Sequence, residues 1–297
     1  MKQALPAKLF AWIGTGCAVC AFLLLPHLST GAPAAQDSAA AHVWLGSDGN
    51  PLPFKTDEEI LEFLRTAQVV SLQDIPVGVT RPRRAVLEKD GVRSHAIFRD
   101  VDSEMDSFQV AGRRERNVRD SALFECAAYE VARLLGLDNI PPVVDRAVEG
   151  KKGSVQFWIE KAMTEEDRLK RGQRAPNIVR WNMQMQTVRI FDALISNWDR
   201  TQQNVLIGED WKLWMVDHTR AFLRRDELLD TARLVNCDRK LWARLQALDE
   251  ADVREHLKPY LRPAEIDALL KRRSKLIAFF KAQIAKRGES DVLYDAI

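Results

Sequence analysis

Two short apolar runs, Val205 to Ile207 and Leu213 to Val216, stand almost alone as strand signals in a second half that otherwise reads as helix. Gly208 to Trp211 between them can turn, so the runs form a hairpin. That hairpin brings its open-end residues, Asn204 and Asp217, side by side, thirteen positions apart in the chain. Asp199 lies five positions before Asn204, in the loop that feeds the same end. Two carboxylates and an amide converging on one spot suit a hard divalent cation with a carboxylate beside it. Phosphoryl transfer asks for little more than metal ions against phosphate oxygens and a carboxylate that orients a hydroxyl.

The surrounding pattern fixes the fold class. Thr56 followed by Glu59 reads as a capping box opening a helix with Ile60, Leu61, Phe63 and Leu64 on one face. A β-rich stretch follows, with runs at Val69 to Leu72, Ala85 to Lys89 and His95 to Arg99, the last two joined by an Asp90-Gly91 turn. FECAAYEVARLLG supplies one packed helix, and a further hairpin turns at Gly150 to Gly153 into Ser154 to Glu160. From Arg180 onward WNMQMQTVRIFDALIS and the tail PAEIDALLKRRSKLIAFFKAQIAK, with Pro263 at its first turn, are helices. This predicts an α+β chain with a β-rich small lobe at 56–160 and a mostly helical large lobe at 161–297.

The N-terminus is a separate matter. Residues 1–34 carry Lys2 and Lys8, an uncharged and largely apolar run from Leu9 to Leu25, and a small-residue Ala32-Pro33-Ala34 site, the pattern of an export signal. The run is long enough to serve instead as a membrane tether through residues 9–25, and either way the rest is placed outside the cytoplasm, periplasmic, secreted or anchored. Residues 35–55, rich in Ala, Ser, Gly and Pro, read as a flexible linker. Cys17 and Cys20 lie inside the leader, which leaves Cys126 and Cys237 either paired or free.

Charge and motif absences narrow the chemistry. The formal net charge of +2 falls to zero without the leader lysines, so no basic excess points to nucleic acid. Five scattered histidines show no HExxH spacing and no Gly-x-Ser-x-Gly elbow occurs, so zinc-hydrolase and serine-hydrolase readings lack support.

The segment FDALISNWDRTQQNVLIGEDWKLWMVDHTRAF resembles the catalytic core of the atypical kinase superfamily that includes phosphatidylinositol 3-/4-kinases, HipA-type kinases and Golgi secretory-pathway kinases. Their N-x-D-R loop matches Asn197-Trp198-Asp199-Arg200, their downstream Asn matches Asn204, and their metal motif matches Asp217-His218-Thr219. The resemblance implies a two-lobed kinase-like fold that uses ATP with Mg²⁺ or Mn²⁺ to phosphorylate a hydroxyl-bearing acceptor, whether protein, lipid or small molecule. By it Asp199 is the catalytic base, Asn204 and Asp217 hold metal, and Glu125 in FECAAYEVARLLG pairs with a base on the preceding strand. Arg200 either neutralises the transferring group or braces the loop. Backbone near Glu160 to Ala162 forms the adenine hinge, and VGVTRPRR, with Gly78 and three arginines, is the phosphate lid or a solvated basic turn.

One position departs from the family. Where these kinases place a Lys against the α- and β-phosphates, HAIFRDV presents Arg99, longer and planar. That leaves open an active kinase, a pseudokinase that only binds, or an enzyme of the same fold that transfers AMP.

Overall fold

The computed structural model describes residues 42–76, 81–110 and 112–296. The leader, its 9–25 run and Gly78 lie outside the described residues.

Chain order explains how the sheet forms. Helix α1 (Asp57–Thr66) opens on Thr56, whose Oγ1 accepts from the Glu59 amide at 3.3 Å while the Glu59 carboxylate accepts from the Thr56 amide at 3.2 Å. Its buried face is Ile60, Leu61, Phe63 and Leu64. Strands β1 (Gln68–Asp74), β2 (Arg83–Lys89) and β3 (Val92–Arg99) form an antiparallel meander. Asp90 and Gly91 both have positive φ, 49° and 77°, which the tight turn between β2 and β3 requires.

A second hairpin, β4 (Asp102–Val110) with β5 (Arg113–Ser121), leaves the sheet before helix α2 (Leu123–Leu134). Strands β6 (Val143–Asp145) and β7 (Ser154–Phe157) complete a five-stranded sheet of order β1-β2-β3-β7-β6. Helix α2 is buried nearly all round, and its Ala127, Ala128 and Ala132 let it sit close to the sheet.

The helical half begins with β8 (Met163–Thr164), α3 (Glu165–Lys170) and α4 (Ile178–Ile195). Strands β9 (Val205–Ile207) and β10 (Leu213–Met215) pair antiparallel, and β8 adds to β9. The chain continues through β11 (Cys237–Asp238), α5 (Arg239–Ala247), α6 (Glu250–Leu257), α7 (Pro263–Arg287), α8 (Glu289–Val292) and β12 (Leu293–Tyr294). One continuous apolar core runs from α1 and the sheet through α2 into α4, α5, α6 and α7, so the halves are fused at their centre.

One expectation changes and one open alternative closes. The tether reading of 35–55 does not hold from His42 onward. Trp44 is buried and stacks edge-on against Phe157 at 5.1 Å, and Phe54 packs against Phe63 at 5.2 Å. Two aromatic side chains bury enough surface to order a segment whose composition otherwise favours turns. Cys126 and Cys237 are both free and buried. No described helix is long and apolar enough to cross a membrane.

Candidate functional site

Helix α4 ends where the site begins. Ser196 takes the left-handed conformation at φ 54° and closes the helix, and the chain turns back so that the Asn197 amide and side chain both bond Asp192, at 2.9 and 3.0 Å. Arg200 then locks the loop. Its Nε and Nη2 donate to Asp192, its Nη1 donates to the carbonyls of Asn204 at 2.7 Å and Val216 at 2.6 Å, and its Nη2 also reaches His218 Nε2 at 3.0 Å. A guanidinium has five N–H groups, and these contacts use them all. Of the two roles left open for Arg200, these contacts fit the bracing one. It has no donor left for a transferring phosphoryl group.

That brace sets the spacing of the three oxygen-bearing side chains. Pairing of β9 with β10 and the Val216 amide donating to the Asn204 carbonyl at 3.2 Å hold Asn204 beside Asp217. The Asn204 side-chain N–H donates to the Asp199 carbonyl at 3.2 Å, which ties the loop to the hairpin. Asp217 sits at φ 61°, a left-handed and strained backbone for a residue with a Cβ. The contact to that carboxylate is a long one from the Thr219 hydroxyl, 3.4 Å to Oδ1.

Asp199 is held from the other side. Its Oδ2 accepts from Arg220 Nη1 at 3.1 Å, and Arg220 Nε donates to Asp120 Oδ2 at 2.7 Å. Partial burial pushes the Asp199 carboxyl above the usual carboxylate range, Arg220 pulls it back, and the nearby Asp217 charge raises it again; the balance is upward.

Glu125 is fully buried, 3.5 Å from Arg99 Nε, and accepts both the backbone N–H and the Nδ1 of His218 at 3.0 Å each. Since Arg200 can only donate to His218 Nε2, the ring proton sits on Nδ1 and points at Glu125. Burial alone would raise the Glu125 carboxyl, but the Arg99 charge and the His218 bonds outweigh it and hold it well below the ordinary range. Arg99, Glu125, His218, Arg200 and Asp192 thus form one polar chain from the sheet to the end of α4. Arg99 Nη1 reaches Gln156 only at 3.5 Å, and its Nη2 makes no hydrogen bond among the described residues.

Glu160 and Ala162 lie where the chain crosses from β7 to β8, hence from one sheet to the other. The Glu160 side chain is bonded to His95 Nδ1 at 2.6 Å, and Ala162 packs on the core. Of the lid arginines, Arg83 is spent on Asp100 at 2.9 Å and lies over the Phe98 ring, and Arg84 is bonded to Gln73.

Sequence reasoning missed the β4–β5 hairpin and what it does. Phe108 stacks on Trp198 beside Asp199 at 5.0 Å, Glu115 pairs with Arg225 at 2.8 Å, and Arg119 makes a double contact with Glu265 at 3.0 and 2.9 Å. The hairpin therefore straps the sheet to the helical half. The Asp120–Arg220 pair was also out of reach, because the two residues lie one hundred positions apart.

No family model matches the chain, and no curated protein matches it. Solved structures do. A hydra Fam20 structure with sugar superposes at TM-score 0.62 with 14% identity, over 80% of this chain and 92% of that one. The Golgi casein kinase superposes at TM-score 0.57, and its form with Mn and ADP bound at 0.58, each with 17% identity over 80% of this chain and 79% of theirs.

The chain shares the fold of these solved structures. Within this kinase-like fold the five-stranded sheet and α2 make the small part, and the helices from α4 onward make the large one. Arg99, Glu125, Asp199, Asn204 and Asp217 all stand along the line where the two meet, joined by the contacts above.

Proposed function

We propose that this protein is an ATP- and metal-dependent phosphotransferase that works outside the cytoplasm on a hydroxyl-bearing acceptor. The observation that carries the reading is the placement of Asp199, Asn204 and Asp217 around one braced loop, with the Asn204 side-chain oxygen unbonded and the Asp217 carboxylate left with one long contact among the described residues. Those donors fit a hard cation, since Mg²⁺ and Mn²⁺ take one or two carboxylate or amide oxygens and fill the rest of their shell with phosphate and water. When bound, the ion would be held by Asn204 Oδ1 and Asp217 and would neutralise charge on the triphosphate. The leader in residues 1–34 supports action beyond the cytoplasm.

The chain's own groups divide the work. Asp199 orients the acceptor hydroxyl and takes its proton as the acceptor oxygen bonds to the γ-phosphorus and the bond to ADP breaks. Arg99, steadied by Glu125, meets the α- and β-phosphates through its free Nη2. Arg220 keeps Asp199 ionised and in place, and Arg200 holds the loop.

Incubation with γ-labelled ATP, Mn²⁺ and generic acceptors, followed by mass spectrometry, tests the reading. A phosphate mass added to acceptor or enzyme supports it. An AMP mass selects nucleotidyl transfer, and nucleotide binding with no transfer selects a pseudokinase, the reading that Arg99 in place of Lys favours. Arg220→Met adds a sign test. Losing the group that lowers the Asp199 pKa moves the acidic limb of the rate profile to higher pH; an unmoved limb argues against Asp199 as the base.

A further inference from the structure

A cavity of about 640 Å³ lies on the face of α4 and its following loop, lined by neither Asp199 nor Asp217. Its volume is that of a small-molecule site. Trp181, Met185 and Val188 give it an apolar wall one helical face wide, and Leu229 to Leu234 close the opposite side. The third wall is the catalytic loop itself, through Asn197, Trp198 and Arg200.

Its three carboxylates, Glu165, Asp192 and Asp230, are bonded to Arg168, Arg200 and Arg233 in turn. Arg189 rises from α4 into this lining, and among the described residues no carboxylate lies within ion-pair distance of it. The carboxylate whose charge acts on it, Asp230, is bonded to Arg233 at 3.3 Å instead. Arg189 Nε, Asn197 Oδ1 and Trp198 Nε1 are buried without a hydrogen-bond partner, and all three residues line the same cavity. An unpaired buried polar atom is destabilising, so three around one cavity call for a cause.

We propose that this cavity is a second ligand site, for a small molecule that joins an anionic group to a flat or apolar body. The anionic group, phosphate or carboxylate, pairs with Arg189, with Arg233 nearby as a second cation. The body lies against Trp181, Met185 and Val188. Asn197 and Arg200 belong both to this wall and to the brace of the loop that follows α4. The inference goes beyond phosphotransfer and stands whether or not that reading survives.

The test is a titration of the full chain with phenyl phosphate, benzoate and uncharged benzyl alcohol, read by calorimetry and by tryptophan fluorescence, with and without saturating Mn²⁺ and ADP. Saturable binding of one or both anions is expected, with benzyl alcohol far weaker; which anion binds distinguishes a phosphorylated from a carboxylated ligand. Arg189→Gln should weaken that binding about tenfold or more, as loss of a charge-assisted hydrogen bond does. Met185→Trp, which fills the cavity and spares Arg189, should abolish it, with thermal melts confirming that both variants fold. Mn²⁺ with ADP should leave the affinity in place. The proposal is overturned if neither anion binds the wild-type chain, if Arg189→Gln binds equally well, or if ADP displaces the probe, since that would put it in the nucleotide cleft. Nucleotide binding is read in the same experiment, so failure here and failure of the kinase reading are separable.

Discussion

An Asp217→Ala variant is expected to lose metal-dependent ATP turnover on the order of 10³-fold, the scale for removing one preorganised electrostatic group from a transition state. Stability should hardly change. The Asp217 carboxylate is only half buried and, among the described residues, has one 3.4 Å hydrogen bond, from Thr219, so little of the fold rests on it. The backbone is the one complication, because φ of 61° is less comfortable for Ala than for Asp by about 1 kcal/mol. Asp217→Asn keeps that tolerance and should lose turnover just as clearly. Initial rates with Mn²⁺, set beside thermal melts, separate the two effects; near wild-type rates in both variants would remove Asp217 from the site.

Gly153→Ala should be among the most destabilising single-methyl additions in the chain. A Cβ at that position would stand 2.0 Å from the Arg99 carbonyl oxygen and 2.9 Å from both the Arg99 carbonyl carbon and a Phe98 ring carbon. Two of those atoms are backbone, so no rotamer change relieves the clash. Strands β3 and β7 must part where Arg99 pairs with Ser154. A cost of about 3 kcal/mol or more follows, the upper end for overpacking. At roughly 2–4 °C per kcal/mol for a chain of this size, the melting temperature should fall by about 10 °C. The same displacement moves Arg99 away from Glu125, so nucleotide affinity should fall with stability. A melt within about 1 °C of wild type would show that the two strands are not packed this closely.

Legibility of the fold tracked the strength of local signals. The Thr56–Glu59 capping box, the Asp90-Gly91 turn and Pro263 at the start of α7 each act within a few residues, and each stands in the structure where the sequence places it. The β9–β10 hairpin was readable for the same reason, and with it the approach of Asn204 to Asp217. Hairpin β4–β5 was not. Its apolar residues are sparse, and Met105, Phe108 and Val118 find their partners, Trp198 and Leu223, about a hundred residues away. Long-range ion pairs hid the rest: Arg220 with Asp120, Arg225 with Glu115 and Arg119 with Glu265 have no local pattern to announce them. Trp44 shows the reverse error, where turn-rich composition concealed one side chain that buries itself in the core.

The role of Arg200 illustrates what only geometry decides. A cation next to Asp199 is chemically able to meet a phosphoryl group, and the resemblance leaves that open. Five donors already committed to Asp192, His218 and two carbonyls make it a strut. A partly buried charge so fully paired is costly to break, by up to about 3 kcal/mol when one partner is removed.

Manganese anomalous diffraction from crystals grown with Mn²⁺ and ADP addresses the central claim most directly. The account predicts a peak about 2.1 Å from both Asn204 Oδ1 and an Asp217 carboxylate oxygen, the distance for a small hard cation, with ADP phosphates completing the shell. Bound ADP whose metal lies away from those two side chains, or crystals with neither nucleotide nor metal at saturating concentrations, would contradict it.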